Sequence, residues 1–464
     1  MLQKIVSHRV LQYRLITQIV MFVVALCMVV MAFQGAGSDD YLSKIFALNI
    51  GIIFFCIAWC GLYTSFSNYF FSSSFWLGVT VFFYFVLKSI EQSVFQNNAD
   101  LLTPLSLVLF FCLFYTIGYS LSSSHVSKRS LAIKINWPRL CRYSLLVFIV
   151  LKLLSVICFT IFSAGASTTL DVAAETQNMG MAYLFRIFTL SSLAYYIILY
   201  RFYTSGENRK SIFLLTLFLV AEMVLNASRS GLIMLFFINL VFRHKYIKPV
   251  PILALLLLSP ILVFLVSFFG YVRDIEIGNL NVYWNALEMM IDDMDLVFVL
   301  FMARMDVLPL ISDAVKLYHN GDLHSLWGGS YIYSILHFIP RGVWADKPPL
   351  TAAYVTSVVR PGLFADGVNI YPSIVLEAYL NALWGGVAIV GCTVGFFCRK
   401  FDVLFSSKNV VSVVWCAFFF TFPMGLVNEG VHSNYFANML YLSFLMYVFL
   451  LGAKKINAVK YTRG

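Results

Sequence analysis

The sequence predicts an all-α polytopic membrane protein with about twelve transmembrane helices and one large outer loop. Three observations predict it. Hydrophobic residues make up 61% of the 464-residue chain and charged residues only 12%, roughly half the charged share of an average soluble domain. Many windows of about 20 residues, the length a helix needs to cross a bilayer, are almost free of charge. The positive charges, which leave a net charge of +10, are sorted to alternate ends of those windows, as expected of loops retained in the cytoplasm. Such sorting excludes nucleic acid as the reason for the basic balance.

The predicted spans are 15–33, 43–64, 72–92, 102–121, 143–163, 182–203, 211–226, 230–243, 249–271, 372–397, 410–427 and 435–453. Both termini then fall on the cytoplasmic side. Lys4, Arg9 and Arg14 precede the first span. Lys128, Arg129, Lys134, Arg139 and Arg142 fill one loop, and Lys454, Lys455, Lys460 and Arg463 close the chain. Of the 22 acids, only Glu207 and Asp402 fall in cytoplasmic loops. The first span is long enough to be retained as a helix rather than cleaved as a signal peptide. The nine cysteines lie in spans or on the cytoplasmic side, so neither a disulfide framework nor a cysteine metal site is expected. The chain reads as a single integral membrane domain, 1–464, whose one large soluble segment is 272–370.

Spans seven and eight are short. Sixteen residues rise only about 24 Å, against a hydrocarbon core of about 30 Å. The turn Asn226-Ala227-Ser228-Arg229-Ser230-Gly231 is therefore expected at or below the outer interface, with Arg229 partly desolvated. An Arg at depth costs about 2.5–3.5 kcal/mol, and a charge-assisted hydrogen bond returns about 1.5–3 kcal/mol. A phosphate or carboxylate partner would offset most of the cost. The alternatives are snorkelling or a structural pair with Glu222. Lys152, near the middle of span five, is an intramembrane charge with no evident partner, and a structural ion pair is its expected role.

The outer segment 272–370 holds 11 acids and six bases, a net charge of −5. From Val282 to Tyr318 its apolar residues keep helical spacing (Leu287, Met290, Ile291, Met294, Val297), and after Gly321 it becomes rich in Gly, Pro and aromatics. A helical cap with an irregular distal part is expected. In His337-Phe-Ile-Pro-Arg-Gly-Val-Trp-Ala-Asp-Lys-Pro-Pro349, Pro340 stops a helix and Pro348 and Pro349 extend the backbone around Lys347. Trp344 is an interface anchor by type. Arg341 and Lys347, with Asp346 between them, form a basic clamp near headgroup depth, for lipid phosphates or for a pyrophosphate. The nearest approach to a metal motif is Asp292 to Asp295, read as a solvated helix face. A site without metal or other cofactor, built on Arg229, Arg304, Arg341 and Lys347, is expected.

Transfer of a sugar to a hydroxyl needs a base, and one carboxylate suffices for an inverting displacement. Glu429, in Asn428-Glu-Gly-Val-His-Ser-Asn434, is the first candidate and Glu377, near the start of span ten, the second. His337 and His432 are secondary candidates whose bland reading is a satisfied or solvated histidine. Tyr318, Trp327, Tyr331, Tyr333, Trp344 and Tyr354 suit stacking on sugar rings, with core packing and interface anchoring as the alternative.

Four stretches together resemble the bacterial oligosaccharide repeat-unit polymerases of the Wzy type. "NASRSGLIMLFF" is similar to the family's short Arg-containing turn, "ARMDVLPLI" to its Arg-x-Asp stretch, "FIPRGVWADKP" to its Pro-Trp-Lys-Pro segment and "NEGVHSN" to its Glu-Gly element. Asn226 and Ala227 stand where glycines are usual, and Ala345 where a proline is usual. The resemblance covers roughly 226–435. It implies a GT-C-like architecture and polymerisation of undecaprenyl-pyrophosphate-linked oligosaccharides at the periplasmic face of the bacterial inner membrane. It also implies membrane lipids, a chain-length regulator and a flippase as partners. An O-antigen ligase is the nearest alternative. A lipid-linked oligosaccharide flippase is another, but its broken or charged helices belong at the midplane of both halves.

Overall fold

The computed structural model describes residues 41–64, 72–95, 99–122, 132–162, 187–225, 229–248, 250–272, 280–303, 305–336, 339, 343–344, 346–365, 367–407, 409–419, 422–431, 435–455 and 459–462. The first predicted span, 15–33, lies outside them. Among the described residues, four helices are long and apolar enough to cross a membrane: Ser73–Ser93, Leu102–Leu121, Trp137–Cys158 and Ser373–Phe405. Shorter apolar helices cover Leu42–Ile57, Leu257–Val272 and Met439–Phe449. The protein is thus helical and membrane-embedded.

One feature departs from an all-α chain. Strands Ala132–Ile135 and Val459–Thr462 pair antiparallel, with Ile133 opposite Tyr461 and Lys134 opposite Lys460. Both four-residue stretches carry β-branched or aromatic residues at alternate positions, which suit a strand. In the sequence they read only as basic loop and tail.

The described chain divides into two compact units, and the outer segment is split between them at Met305. The first contains helices Tyr41–Thr64, Ser73–Val81, Lys88–Phe95, Leu102–Leu121, Val307–Asn320, Gly329–Leu336, Thr351–Val359, Phe422–Glu429 and nearly all of Ser373–Phe405. Ile45, Leu48, Ile52, Phe55 and Trp59 recur at three- and four-residue spacing and are buried, the stripe a packed helix presents to its core. The opposite face is also apolar, with Phe46, Phe54 and Ile57 exposed, as lipid contact requires.

Glycines set the closest helix approach of this unit. A Cβ at Gly118 would overlap the Cys392 carbonyl, and one at Gly395 would overlap the Tyr115 carbonyl. Gly391 and Gly395 are four residues apart, the small-residue spacing that lets membrane helices touch backbone to backbone. Near the other end of the Ser373 helix, Ser73 donates its backbone N–H to Asp402 at 2.6 Å, and Tyr119 donates its hydroxyl to the same carboxylate at 2.7 Å. Asp402 thus satisfies one of the free N–H groups that open a helix.

The Ser373 helix is broken. Ala382 and Leu383 leave helical geometry, and Leu383 takes φ +51. Ile374 to Asn381, ahead of the break, are all buried, whereas Trp384, just beyond it, is 38% exposed. Residues 383–405 alone rise about 34 Å, a full hydrocarbon crossing. The segment after the break is thus long enough to cross by itself, and the leading half-helix is packed inside the unit.

The second unit contains Trp137–Phe162, Leu190–Ser205, Arg209–Leu225, Arg229–Tyr246, Ile252–Val272, Leu280–Asp292, Met294–Ala303, Val410–Phe418 and most of Tyr435–Lys455. Only 22% of the Trp137–Cys158 window is buried, against 67% for Ser73–Ser93, so among the described residues this helix is the less enclosed of the two. Polar side chains join its neighbours. The Tyr195 hydroxyl lies 2.9 Å from Thr216 Oγ1 and accepts from Asn239 Nδ2 at 3.1 Å. The helical spacing read from Val282 to Tyr318 matches helices Leu280–Asp292 and Met294–Ala303 here and Val307–Asn320 in the first unit, and the part after Gly321 adds short helices rather than being wholly irregular.

Candidate functional site

The site grows from the buried half-helix that starts at Ser373. Glu377 lies on its second turn with none of its surface exposed. A buried carboxylate must be paired or hydrogen-bonded. Glu377 Oε2 accepts the backbone N–H of Val431 at 2.5 Å. That N–H belongs to the turn after helix Phe422–Glu429, whose last residue is Glu429. The two candidate bases therefore come from one arrangement: Glu377 wholly buried, Glu429 half-buried.

Gly430 makes this approach possible. It takes φ +82, a region closed to most L-residues. A Cβ there would also overlap Glu377 Oε2. The glycine of the Glu-Gly element is thus a physical requirement, letting the backbone fold onto the Glu377 carboxylate. Glu429 ends a helix, where the aligned peptide dipoles disfavour a negative charge.

A third segment completes the site. Asn381 Nδ2 donates to Ser330 Oγ at 2.8 Å and to the Glu377 carbonyl at 2.7 Å, so helix Gly329–Leu336 is fastened to the half-helix. It carries Tyr331 beside the carboxylate. Burial, and then the Glu377 charge, push the Tyr331 phenol well above its ordinary value, and Asn381 pulls it part of the way back. Neither the Tyr331 hydroxyl nor Asn381 Oδ1 makes a geometrically sound hydrogen bond. Sequence reasoning offered Tyr331 only as a stacking residue and missed Asn381. A polar residue one turn beyond an acid in an apolar run was the available signal.

The Pro-Trp-Lys-Pro segment is partly described. Lys347 Nζ donates to the Ile339 carbonyl at 3.1 Å, and Trp344 lies against Tyr333 with ring centroids 6.0 Å apart. Asp346 is exposed. The lysine therefore stiffens its own loop. Arg341, Arg304, His337 and His432 lie outside the described residues. Helix Arg229–Tyr246 begins at Arg229, whose side chain also lies outside them. Arg229 belongs to the second unit, and Lys347, Glu377 and Glu429 to the first.

Two largely buried lysines are paired: Lys88 with partners the sequence did not suggest, and Lys152 in the structural ion pair expected of it. Lys88, almost fully buried, binds Glu91 at 2.8 Å and Asp306 at 3.2 Å. The acid of the Arg-x-Asp stretch thus has a cation of its own. Lys152 is held by both oxygens of Glu222, at 2.8 and 2.6 Å, which supplies the partner the sequence left unassigned. Among the described residues, no cluster of three or more His, Cys, Asp or Glu side chains is placed to hold a metal. Comparison of the chain with protein-family models, with curated proteins and with solved structures found no match to any of them.

Proposed function

We propose that this protein is a membrane glycosyltransferase that polymerises undecaprenyl-pyrophosphate-linked oligosaccharide units at the periplasmic face of the bacterial inner membrane. In this reading the chain has a GT-C-like arrangement of about twelve spans with both termini in the cytoplasm. The observation that carries the reading is the joining of Glu377 to the Glu429–Val431 turn through the Val431 N–H. A buried carboxylate spent on a backbone bond is a positioning group. The half-buried carboxylate two residues before that bond is the one an incoming hydroxyl reaches.

Glu429 then takes the proton of the acceptor hydroxyl at the non-reducing end of a new unit. The hydroxyl oxygen forms a bond to the anomeric carbon of the donor glycan. The bond from that carbon to the pyrophosphate oxygen breaks, and the lipid pyrophosphate leaves with its electron pair. Arg341 and Lys347, in the same unit as Glu429, are assigned to that pyrophosphate, which their charge suits. The acidic balance of 272–370 favours a neutral or hydroxyl-rich glycan over a polyanion in the outer segment.

Lipopolysaccharide banding in a deletion strain tests this. Loss of the gene leaves core plus a single repeat unit, and the wild-type gene restores a ladder. Glu429→Gln, present in the membrane at wild-type level, leaves the single-unit band. A full ladder from Glu429→Gln removes it as the base. The flippase alternative has one observation in its favour, the Lys152–Glu222 pair within the second unit. Bare core with no capped unit in the deletion strain selects that alternative or a ligase.

A further inference from the structure

A tight turn in the first unit carries a residue that turn chemistry disfavours. Gly329 donates its backbone N–H to the Leu326 carbonyl at 2.7 Å, closing a four-residue turn. Its two central residues, Trp327 and Gly328, take φ +47 and φ +80. Two successive positive φ angles are the mark of a mirror-image turn, where Asn-Gly is the favoured pair. Gly328 fits. A bulky aromatic with φ above zero is an outlier, held only where its surroundings over-determine it.

The surroundings do so. Leu326 donates its N–H, and Ser325 its hydroxyl, to the Leu380 carbonyl at 2.8 and 2.9 Å. Leu380 lies two residues before the break of the Ser373 helix and three residues after Glu377, so the break frees a carbonyl and the turn takes it. On the preceding side, His324 donates its N–H to the Tyr354 hydroxyl at 2.9 Å. On the following side, Ser330 and Tyr331 flank the Glu377 half-helix. The turn is thus rigidly mounted on the helix that carries the buried carboxylate. Its indole is 86% exposed, the most exposed of the large hydrophobics described.

A buried core explains a strained aromatic by its contacts, and this ring has almost none. An interface anchor needs depth and an amphipathic ring, but no fixed backbone geometry. A ring held rigidly at a fixed offset from a reaction centre suits a flat apolar partner, and the C–H face of a pyranose is one.

We propose that Trp327 is a carbohydrate-stacking platform that receives a pyranose ring of the lipid-linked glycan beside the Glu377–Glu429 site. This rests on the glycan-transfer reading above, and it assigns the sugar subsite that reading leaves open.

The test uses full-length protein in lipid nanodiscs. The probe is the delipidated glycan released by mild acid from the lipid-linked pool of the producing strain. Limited N-bromosuccinimide oxidation followed by peptide mass spectrometry reads each tryptophan. The glycan is expected to slow oxidation of Trp327 several-fold and to leave Trp384 unchanged. Trp327→Asn places the favoured residue in the turn, so its thermal stability is expected to equal or exceed wild type. Its half-saturating glycan concentration should rise roughly three- to tenfold, the worth of one aromatic contact, and Trp327→Phe should recover part of that. Destabilisation by Trp327→Asn assigns the ring to packing and overturns the proposal. Quenching of Trp327 by brominated phospholipid, with no protection by glycan, assigns it to membrane anchoring and also overturns it. A wild-type protein that elongates glycan while Trp327 stays unprotected sinks the platform alone. Failure of the wild type to elongate, in the banding assay, sinks the wider reading.

Discussion

Val431 donates its backbone N–H to Glu377 Oε2 across 2.5 Å, joining segments 54 residues apart in the chain. A hydrogen bond to a charged group contributes about 1.5–3 kcal/mol, and leaving a buried carboxylate without one costs more. Gly430 sits between this donor and Glu429 with a backbone angle that excludes a side chain. Gly430→Ala is expected to push the turn off Glu377. Chain-length banding should collapse to single units while membrane level falls by less than half, checked by immunoblot. An unchanged ladder would show that the turn tolerates a shift and that the contact does not set activity.

The glycine contact between helices Leu102–Leu121 and Ser373–Phe405 makes a separate prediction. The atoms a Gly118 Cβ would meet are backbone atoms of Cys392, which cannot rotate away. Overpacking of this kind costs about 1–3 kcal/mol or more. Gly118→Leu should lower the midpoint of thermal unfolding in detergent and reduce membrane level, whereas Gly362→Ala, where a Cβ meets nothing within 4 Å, should change neither.

Lys152 and Glu222 are 13% and 18% exposed, so each depends on the other. Removing one partner of a buried pair costs about 3–5 kcal/mol, while replacing both by apolar groups is often neutral. Lys152→Met and Glu222→Leu should each destabilise the protein strongly, and the double variant should recover most of the loss, read as a positive coupling in a double-mutant cycle. If the double variant is stable but inactive, the pair has a role in function and the transporter reading gains ground.

Lys245 provides a pH dependence. Burial lowers its ammonium from the ordinary 10.5 to about 8, although Nζ donates to the Phe405 carbonyl at 2.5 Å and lies over the Phe405 ring at 4.3 Å. Between those two values the unfolded chain binds more protons than the folded one, so stability rises with pH. The gain is complete above the unfolded value and is lost as pH falls through the folded one. The unfolding midpoint should increase from pH 7.5 to 9.5, and Lys245→Met should flatten that slope. An equal slope in the variant would assign the dependence to other groups.

Much of the helical plan was legible because apolar length and charge sorting are properties of single segments. Glu377 and Glu429 stood out in the sequence as acids near the ends of apolar runs. Their junction was not, because it rests on a backbone N–H and a positive φ that no local pattern announces. Lys152 showed no partner because Glu222 is 70 residues away, and ion pairs across helices leave no periodic trace. The break at Ala382–Leu383 was hidden because "SIVLEAYLNALWGGVAIV" reads as one continuous apolar run without proline. Only Gly385 and Gly386 hint at it, since a Cβ at Gly386 would overlap the Ala378 carbonyl. The two strands were hidden because each is four residues long and its partner lies at the far end of the chain.

The break in the Ser373 helix separates two mechanical duties that an unbroken helix would have to share. A span longer or shorter than its bilayer responds by tilting, and a rigid rod would carry that tilt straight into Glu377. Here the half-helix from Ser373 to Asn381 is gripped by Ser330, Ser325, Leu326 and Val431, and a length sufficient to span the bilayer lies beyond the joint. The carboxylate is thereby insulated from membrane thickness, so activity should vary little across nanodiscs of 14- to about 20-carbon acyl chains. A protein built this way keeps its buried carboxylate in register while the lipid around it changes.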